Sequence, residues 1–212
     1  KESSAASDVY KRQDLLLGVK ADAKTDNAQQ QFLPDSLRED FAHALVIDRQ
    51  GQRRNLVEST SYLIQPIEKP VEKAAVTPVV CAILWLILTL ITCLVEWKTG
   101  RILWVYDLVA MLVTGTAGLI LLAMVFSQHP TVQLNFQILL LCPLNLFYLF
   151  PTIKALRMGR IHSYIKLYSL LLVANLMLAF FQTYAEGMVI VALSLLLRYG
   201  WLMIHTYRKP VK

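Results

Sequence analysis

Beyond residue 77 the chain is dominated by five apolar stretches, at 78–97, 105–127, 134–153, 163–181 and 186–206. Each is about the 20 residues that a helix needs to cross ~30 Å of hydrocarbon. Lipid offers the peptide groups no hydrogen-bonding partner, so the backbone must satisfy itself, and helices are the expected form. The predicted fold is therefore mainly α: a bundle of five transmembrane helices preceded by a small α+β remnant of a soluble domain. Only 17% of the residues are charged, against about 25% in a soluble domain.

The basic residues assign a direction to these spans. Lys98 and Arg101 follow the first span, Lys154, Arg157 and Arg160 follow the third, and Arg208, Lys209 and Lys212 form the tail at 207–212. The loops around 128–133 and 182–185 contain no Lys or Arg. Positive charge is retained on the cytoplasmic side, so the C-terminus is expected in the cytoplasm and the polar N-terminal segment in the periplasm of an inner membrane. Trp97, Trp104, Tyr106, Tyr164, Tyr168 and Tyr207 then fall near the inner interface, where an aromatic belt is expected. The same pattern argues against a nucleic-acid partner: residues 1–77 carry 11 basic and 12 acidic side chains and residues 78–212 carry 10 and 3, the excess lying in short loops between spans.

In the polar segment, "FLPDSLREDFAHAL" predicts a helix, with Ser36 and Glu39 in capping-box spacing and Leu37, Phe41, Ala44 and Leu45 on one face. His43 lies beside that face and reads as structural or solvated. "ALVIDRQGQRRNLVE" predicts two short strands around a turn at Asp48 to Gly51, and "SYLIQPI" a third strand. Residues 14–65 are too few and too polar to fold comfortably alone, and are expected to be the C-terminal part of a larger soluble domain. The proline-containing stretch 66–77 is a linker.

Within the spans, Ala110, Thr114 and Gly118 recur every four residues with Gly115 alongside, a small-residue stripe for close helix packing. Pro143 and Pro151 are expected to kink the third span. Asp107 is expected to pair with a basic residue at the inner interface, Arg101 being two turns away. Arg198, well inside the last span, is expected either to anchor the helix by reaching inward or to meet a lipid phosphate. Cys81, Cys93 and Cys142 have no metal-site or CxxC spacing and read as inert buried thiols. His129 lies outside while His162 and His205 lie inside, so no histidine cluster, metal or other cofactor is expected.

The segment "DLLLGVKADAKTDNAQQQFLPDSLREDFAHALV" and the run "RILWVYDLVAMLVTGTAGLILLAMVFSQHPTVQLNFQILLLCPLNLFYL" resemble the end of the periplasmic domain and the membrane core of the Lnb-type lipoprotein N-acyltransferase family. There an Asp opens a span, T-G-x-x-G follows, and a Thr/Ser-x-His-Pro turn leads to Asn-x-Asn. Asp107, Thr114, Gly115, Gly118, His129, Pro130 and Asn135 fit. Gln137 replaces the second Asn, and Leu140 and Leu141 stand where an aromatic is common. The resemblance spans residues 14–180. Residues 1–13, "KESSAASDVYKRQ", have no amphipathic period, resemble a translated sequencing adapter, and are expected to be non-native.

The resemblance implies an upstream papain-like domain, absent from this fragment, with a Cys nucleophile and a His base. An acyl chain would pass from a lipid donor to the thiolate and then to the amine of a diacyl lipoprotein, two easier steps replacing one hard one. No catalytic residue is expected in this chain, which would be the module that holds the catalytic domain at the membrane surface. Membrane lipids and the diacyl lipoprotein are the implied partners. His129, Asn135 and Gln137 become candidates for contacting headgroups or the domain above. A small transporter and a non-catalytic tether are the alternatives; the odd number of spans and the lack of a repeat argue against the former.

Overall fold

The computed structural model describes residues 15–22, 34–47, 49–61, 76–128 and 132–207. The chain divides into two compact units, Ala23–Glu72 and the combination of Lys1–Asp22 with Lys73–Lys212. In the smaller unit, helix α1 (Pro34–His43) precedes strands β1 (Leu45–Ile47) and β2 (Arg53–Asn55). The strands pair antiparallel in the register Leu45↔Asn55, Val46↔Arg54 and Ile47↔Arg53. Proline, whose fixed φ suits the first helical position, starts α1 at residue 34, so Ser36 lies within the first turn and not at the cap. His43 is exposed, its Nδ1 donating to the Glu39 carbonyl at 2.9 Å. Leu37, Phe41, Leu45, Ile47 and Leu56 are also exposed. The expected third strand and linker lie largely outside the described residues.

The larger unit contains α2 (Pro78–Thr99), α3 (Trp104–Val125), a 3-10 turn (Phe136–Leu139), α4 (Leu144–Phe147), α5 (Leu149–Arg157), α6 (Ser163–Leu178) and α7 (Met188–Tyr207). Thr77 caps α2, its hydroxyl accepting from the Val80 N–H at 3.3 Å, and Pro78 occupies the first turn. α7 packs between α2 and α6, while α3 packs on α4 and α5. Ala110, Met111, Leu140, Leu156, Ile165, Leu172, Leu195 and Leu202 lie in the shared core. Ile83, Leu84, Ile87, Leu88 and Ile91 on α2 are exposed, an apolar face suited to lipid rather than water.

Three helices, α2, α3 and α7, are long and apolar enough to cross a membrane, and a fourth crossing follows if the bent pair Phe136–Phe147 and Leu149–Arg157 counts as one. The expected third span is thus no continuous helix. It bends by 75°, at Tyr148 with φ −93° and ψ 7°, between the two prolines expected to distort it. Each proline sits at a helix start, where its missing N–H costs least: Pro143 caps α4 and Pro151 lies in the first turn of α5. The expected fourth span forms α6, whose 16 residues reach about 24 Å at 1.5 Å per residue.

The small-residue stripe packs against this broken segment. A Cβ on Gly118 would lie 2.2 Å from the Leu141 carbonyl oxygen and 2.6 Å from the Pro143 nitrogen, and one on Gly115 would lie 2.7 Å from Leu146 Cγ. The obstacle at Gly118 is backbone, which cannot rotate away. The aromatic belt needs correction at two members. Tyr164 and Tyr168 are only 3% and 1% exposed and point into the bundle, because their hydroxyls satisfy buried acceptors. Tyr164 donates to Asn145 Oδ1, Tyr168 donates to the Leu140 carbonyl at 2.6 Å, and Asn145 Nδ2 donates to Thr114 Oγ1 at 2.7 Å.

Replacing Gly118 with Ala is expected to destabilise the bundle by about 1–3 kcal/mol through overpacking. The same change at Gly200, whose Cβ would meet nothing within 4 Å, is expected to be neutral or to stabilise by up to about 1 kcal/mol. Thermal unfolding of the two variants in detergent, followed by size-exclusion fluorescence, compares them directly.

Candidate functional site

Two polar clusters lie at opposite ends of the larger unit. At the end where α7 begins, the segment before the 3-10 turn and the loop between α6 and α7 are joined by amides. Asn135 caps the 3-10 turn, its Oδ1 accepting from the Gln137 N–H at 3.0 Å and from Gln182 Nε2 at 2.9 Å. Gln182 Oε1 accepts from the Phe136 N–H at 2.8 Å, and Gln137 Oε1 from the Ala185 N–H at 3.2 Å. Asn135, Gln137 and Gln182 are all buried.

Their remaining donors hold an N-terminal strap, residues 15–22. Asn135 Nδ2 donates to the Leu15 carbonyl at 2.8 Å, and Gln182 Nε2 to the Leu17 carbonyl at 3.0 Å. The Val19 N–H donates to the Leu134 carbonyl at 2.9 Å, and Asp22 Oδ2 accepts from the Thr183 N–H at 2.7 Å. Asn175 Nδ2 donates to the Phe136 carbonyl at 3.0 Å and to the Tyr184 hydroxyl at 3.1 Å, which donates back to the Asn175 carbonyl at 2.8 Å. Burial pushes the Tyr184 phenol up to about 12, so it remains a donor at neutral pH. Amides and the Tyr184 phenol, with the Asp22 carboxylate on the strap, meet mainly backbone groups here.

The cradle also lies beside the start of α2. Gly187 closes the same loop with φ +86°, and a Cβ there would be 2.9 Å from Ala82 Cβ and 3.0 Å from the Pro78 carbonyl oxygen. The strap and α2, which lead into and out of the smaller unit, therefore both meet the 182–187 loop. Of the residues singled out from the sequence, Asn135 and Gln137 come together here, whereas His129 lies outside the described residues. Gln182, Asn175 and Tyr184 were missed: polar side chains near a loop give no hint in sequence that they converge.

At the other end, α2, α3 and α7 each contribute to a charged cluster whose members Glu96, Asp107 and Arg198 are all 0% exposed. Arg198 Nε and Nη2 donate to Asp107 Oδ1 and Oδ2 at 3.0 and 2.7 Å. Its Nη1 and Nη2 donate to Glu96 Oε2 and Oε1, both at 2.7 Å. Trp201 Nε1 donates to Glu96 Oε2 at 2.9 Å, and the Leu103 N–H to Glu96 Oε1 at 2.6 Å. Glu96 thereby satisfies an orphan N–H at the α3 N-terminus, which no side chain of its own caps. The Tyr106 ring lies 5.4 Å from the guanidinium carbon.

Two sequence expectations change here. Asp107 pairs with Arg198, 91 positions away, and not with an interfacial base such as Arg101. Arg198 neither reaches water nor offers its charge to a lipid phosphate, because two carboxylates occupy its planar fork. Glu96 was missed, although an acidic residue inside a span has to find a buried cation. Among the described residues no group of His, Cys, Asp and Glu could hold a metal ion.

Loss of one partner strands the others, at a cost of about 3–5 kcal/mol, whereas apolar or neutral replacement of the whole cluster costs much less. Arg198→Met alone is therefore expected to melt lower in detergent than the triple variant Glu96→Gln, Asp107→Asn, Arg198→Met. At the opposite end, Asn135→Leu is expected to leave the fold intact while raising hydrogen exchange at Val19, whose N–H the cradle holds near Leu134; mass spectrometry of that peptide reads the change.

Comparison with known proteins finds no curated protein and no solved structure that matches the chain. A sequence family described as the Lnb transmembrane domain matches residues 70–210. That range holds every helix from α2 to α7, the small-residue stripe, the charged cluster and all of the cradle except its strap. The chain belongs to the Lnb transmembrane domain family.

Proposed function

We propose that this chain is the membrane module of an Lnb-like lipoprotein N-acyltransferase, holding a periplasmic Cys/His domain at the surface of the inner membrane. The family match over residues 70–210 carries this reading. Both substrates of such an enzyme are lipids, and a catalytic domain tethered to a bundle meets them at high effective concentration.

Two further observations support it. The strap that precedes the smaller unit in sequence and the helix α2 that follows it both meet the 182–187 loop, since Asp22 bonds Thr183 and the Pro78 carbonyl approaches Gly187. The smaller unit's apolar side chains Leu37, Phe41, Ile47 and Leu56 are exposed, which suits a piece that completes a larger soluble domain. The five-pass topology belongs to the same proposal: α2, α3, the bent 136–157 segment, α6 and α7 cross in alternation, with the C-terminus in the cytoplasm. His129, close in sequence to the cradle, contacts headgroups or the catalytic domain.

A single cysteine at position 129, in a background with Cys81, Cys93 and Cys142 replaced by Ser, is expected to label with an impermeant maleimide from the periplasm. Protection there combined with labelling from the cytosol overturns the topology. In a protein that carries the upstream domain, His129→Ala is expected to lower lipoprotein N-acylation about tenfold, the equivalent of one strong hydrogen bond. Unchanged activity removes His129 from the proposal.

A further inference from the structure

An open groove of about 740 Å³ runs along α5 beside Leu108 of α3, at the end of the bundle away from the cradle. Leu108, Leu149, Phe150 and Ile153 form its apolar walls, and Lys154 and Arg157 line it as well. Its lining residues on α5 follow directly after the 75° bend at Tyr148. On α5, Leu149, Thr152, Ile153 and Leu156 are buried, while Phe150, Lys154 and Arg157 are exposed.

The positive-inside pattern accounts for basic residues at this end, but among the described residues no carboxylate accompanies these two. Between Asp107 and Glu186 the chain contains no Asp or Glu, and Asp107 is already occupied by Arg198. Among the described residues neither Lys154 nor Arg157 has a carboxylate partner. Arg157 has its guanidinium carbon 5.1 Å from the Trp104 ring centroid, a cation–π contact that brings no negative charge to it. Lys154 and Arg157 are three positions apart on one helix and so share a face.

An apolar trough with paired cations and no anion suits one class of ligand. The volume lies within the range of small-molecule pockets, hydrocarbon suits the Leu, Ile and Phe walls, and a phosphate diester matches the planar fork of arginine beside a lysine. Basic pockets between membrane helices on the cytoplasmic side bind anionic headgroups by this logic. We propose that the trough holds an anionic glycerophospholipid, with an acyl chain along Leu108, Leu149, Phe150 and Ile153 and its phosphate on Lys154 and Arg157. On the topology proposed above, the lipid lies in the leaflet opposite the cradle, away from the acyl-transfer substrates.

The test uses the full chain in nanodiscs of equal phosphatidylglycerol and phosphatidylcholine, followed by detergent release and native mass spectrometry of the retained lipid. A nanodisc exposes both faces, so the result does not depend on the topology proposed above. The expected result is preferential retention of phosphatidylglycerol. Lys154→Gln and Arg157→Gln should each lower its enrichment about fivefold, while Arg160→Gln, outside the trough, should change it little. Ile153→Trp, which fills the trough, should lower retention of both lipids. Millimolar inorganic phosphate should not displace the lipid. Lys154→Arg keeps the charge and should keep the preference, which guards against a fold defect in the Gln variants. Equal enrichment in wild type and the Arg157→Gln variant, or an equal loss in Arg160→Gln, overturns the proposal.

Discussion

A guanidinium enclosed by two carboxylates survives inside a helix bundle only if every donor and acceptor finds its partner, since an unpaired ion in a medium of low dielectric is prohibitively costly. Arg198, Glu96 and Asp107 meet that condition across three helices far apart in sequence. Burial of apolar side chains alone does little to set the register between membrane helices, because lipid tails solvate them much as neighbours do, whereas close packing at small residues and directional ionic bonds can. The cluster fixes where α7 stands relative to α2 and α3, and that placement brings Gly187 against Pro78 and sets the loop that carries Gln182.

The two ends of the bundle therefore use different chemistry for the same task of satisfying polar groups. Near the α3 N-terminus the groups are charged and wholly enclosed. Beside the strap they are neutral amides, each of which donates and accepts. Neutral amides suit a surface that must hold backbone carbonyls, since a charge there would demand a counter-charge. The hydroxyls of Tyr164 and Tyr168 bridge the middle, where the broken segment between Phe136 and Phe147 leaves main-chain and amide oxygens facing inward.

Much of this arrangement was legible in the sequence wherever a single residue type reports its own surroundings. Gly115 and Gly118 announced a close approach, and the structure puts backbone against Gly118. The antiparallel pairing of β1 with β2 followed from turn chemistry in the stretch between them. Long apolar runs located α2, α3 and α7. The bend at Tyr148 was hidden because hydropathy is insensitive to direction, and Pro143 and Pro151 point to a disturbance without giving its position or angle. Asp107 and Arg198 were visible as buried charges, but their pairing depends on helix packing that neither residue encodes. Tyr164 and Tyr168 were misplaced because an aromatic alcohol suits an interface and a buried hydrogen bond equally well.

The brevity of α6 has a consequence for the lipid around it. Its 16 residues fall about 6 Å short of a typical hydrocarbon slab, whereas α2 and α3, at 22 residues each, match or exceed it. With α6 as the fourth crossing of the topology proposed above, a membrane that fits the long helices thins beside the short one, or admits polar chain from the turn at residues 158–162 below its usual boundary. On that five-pass reading the bilayer around the protein is uneven, thicker along α2 and α3 than along α6.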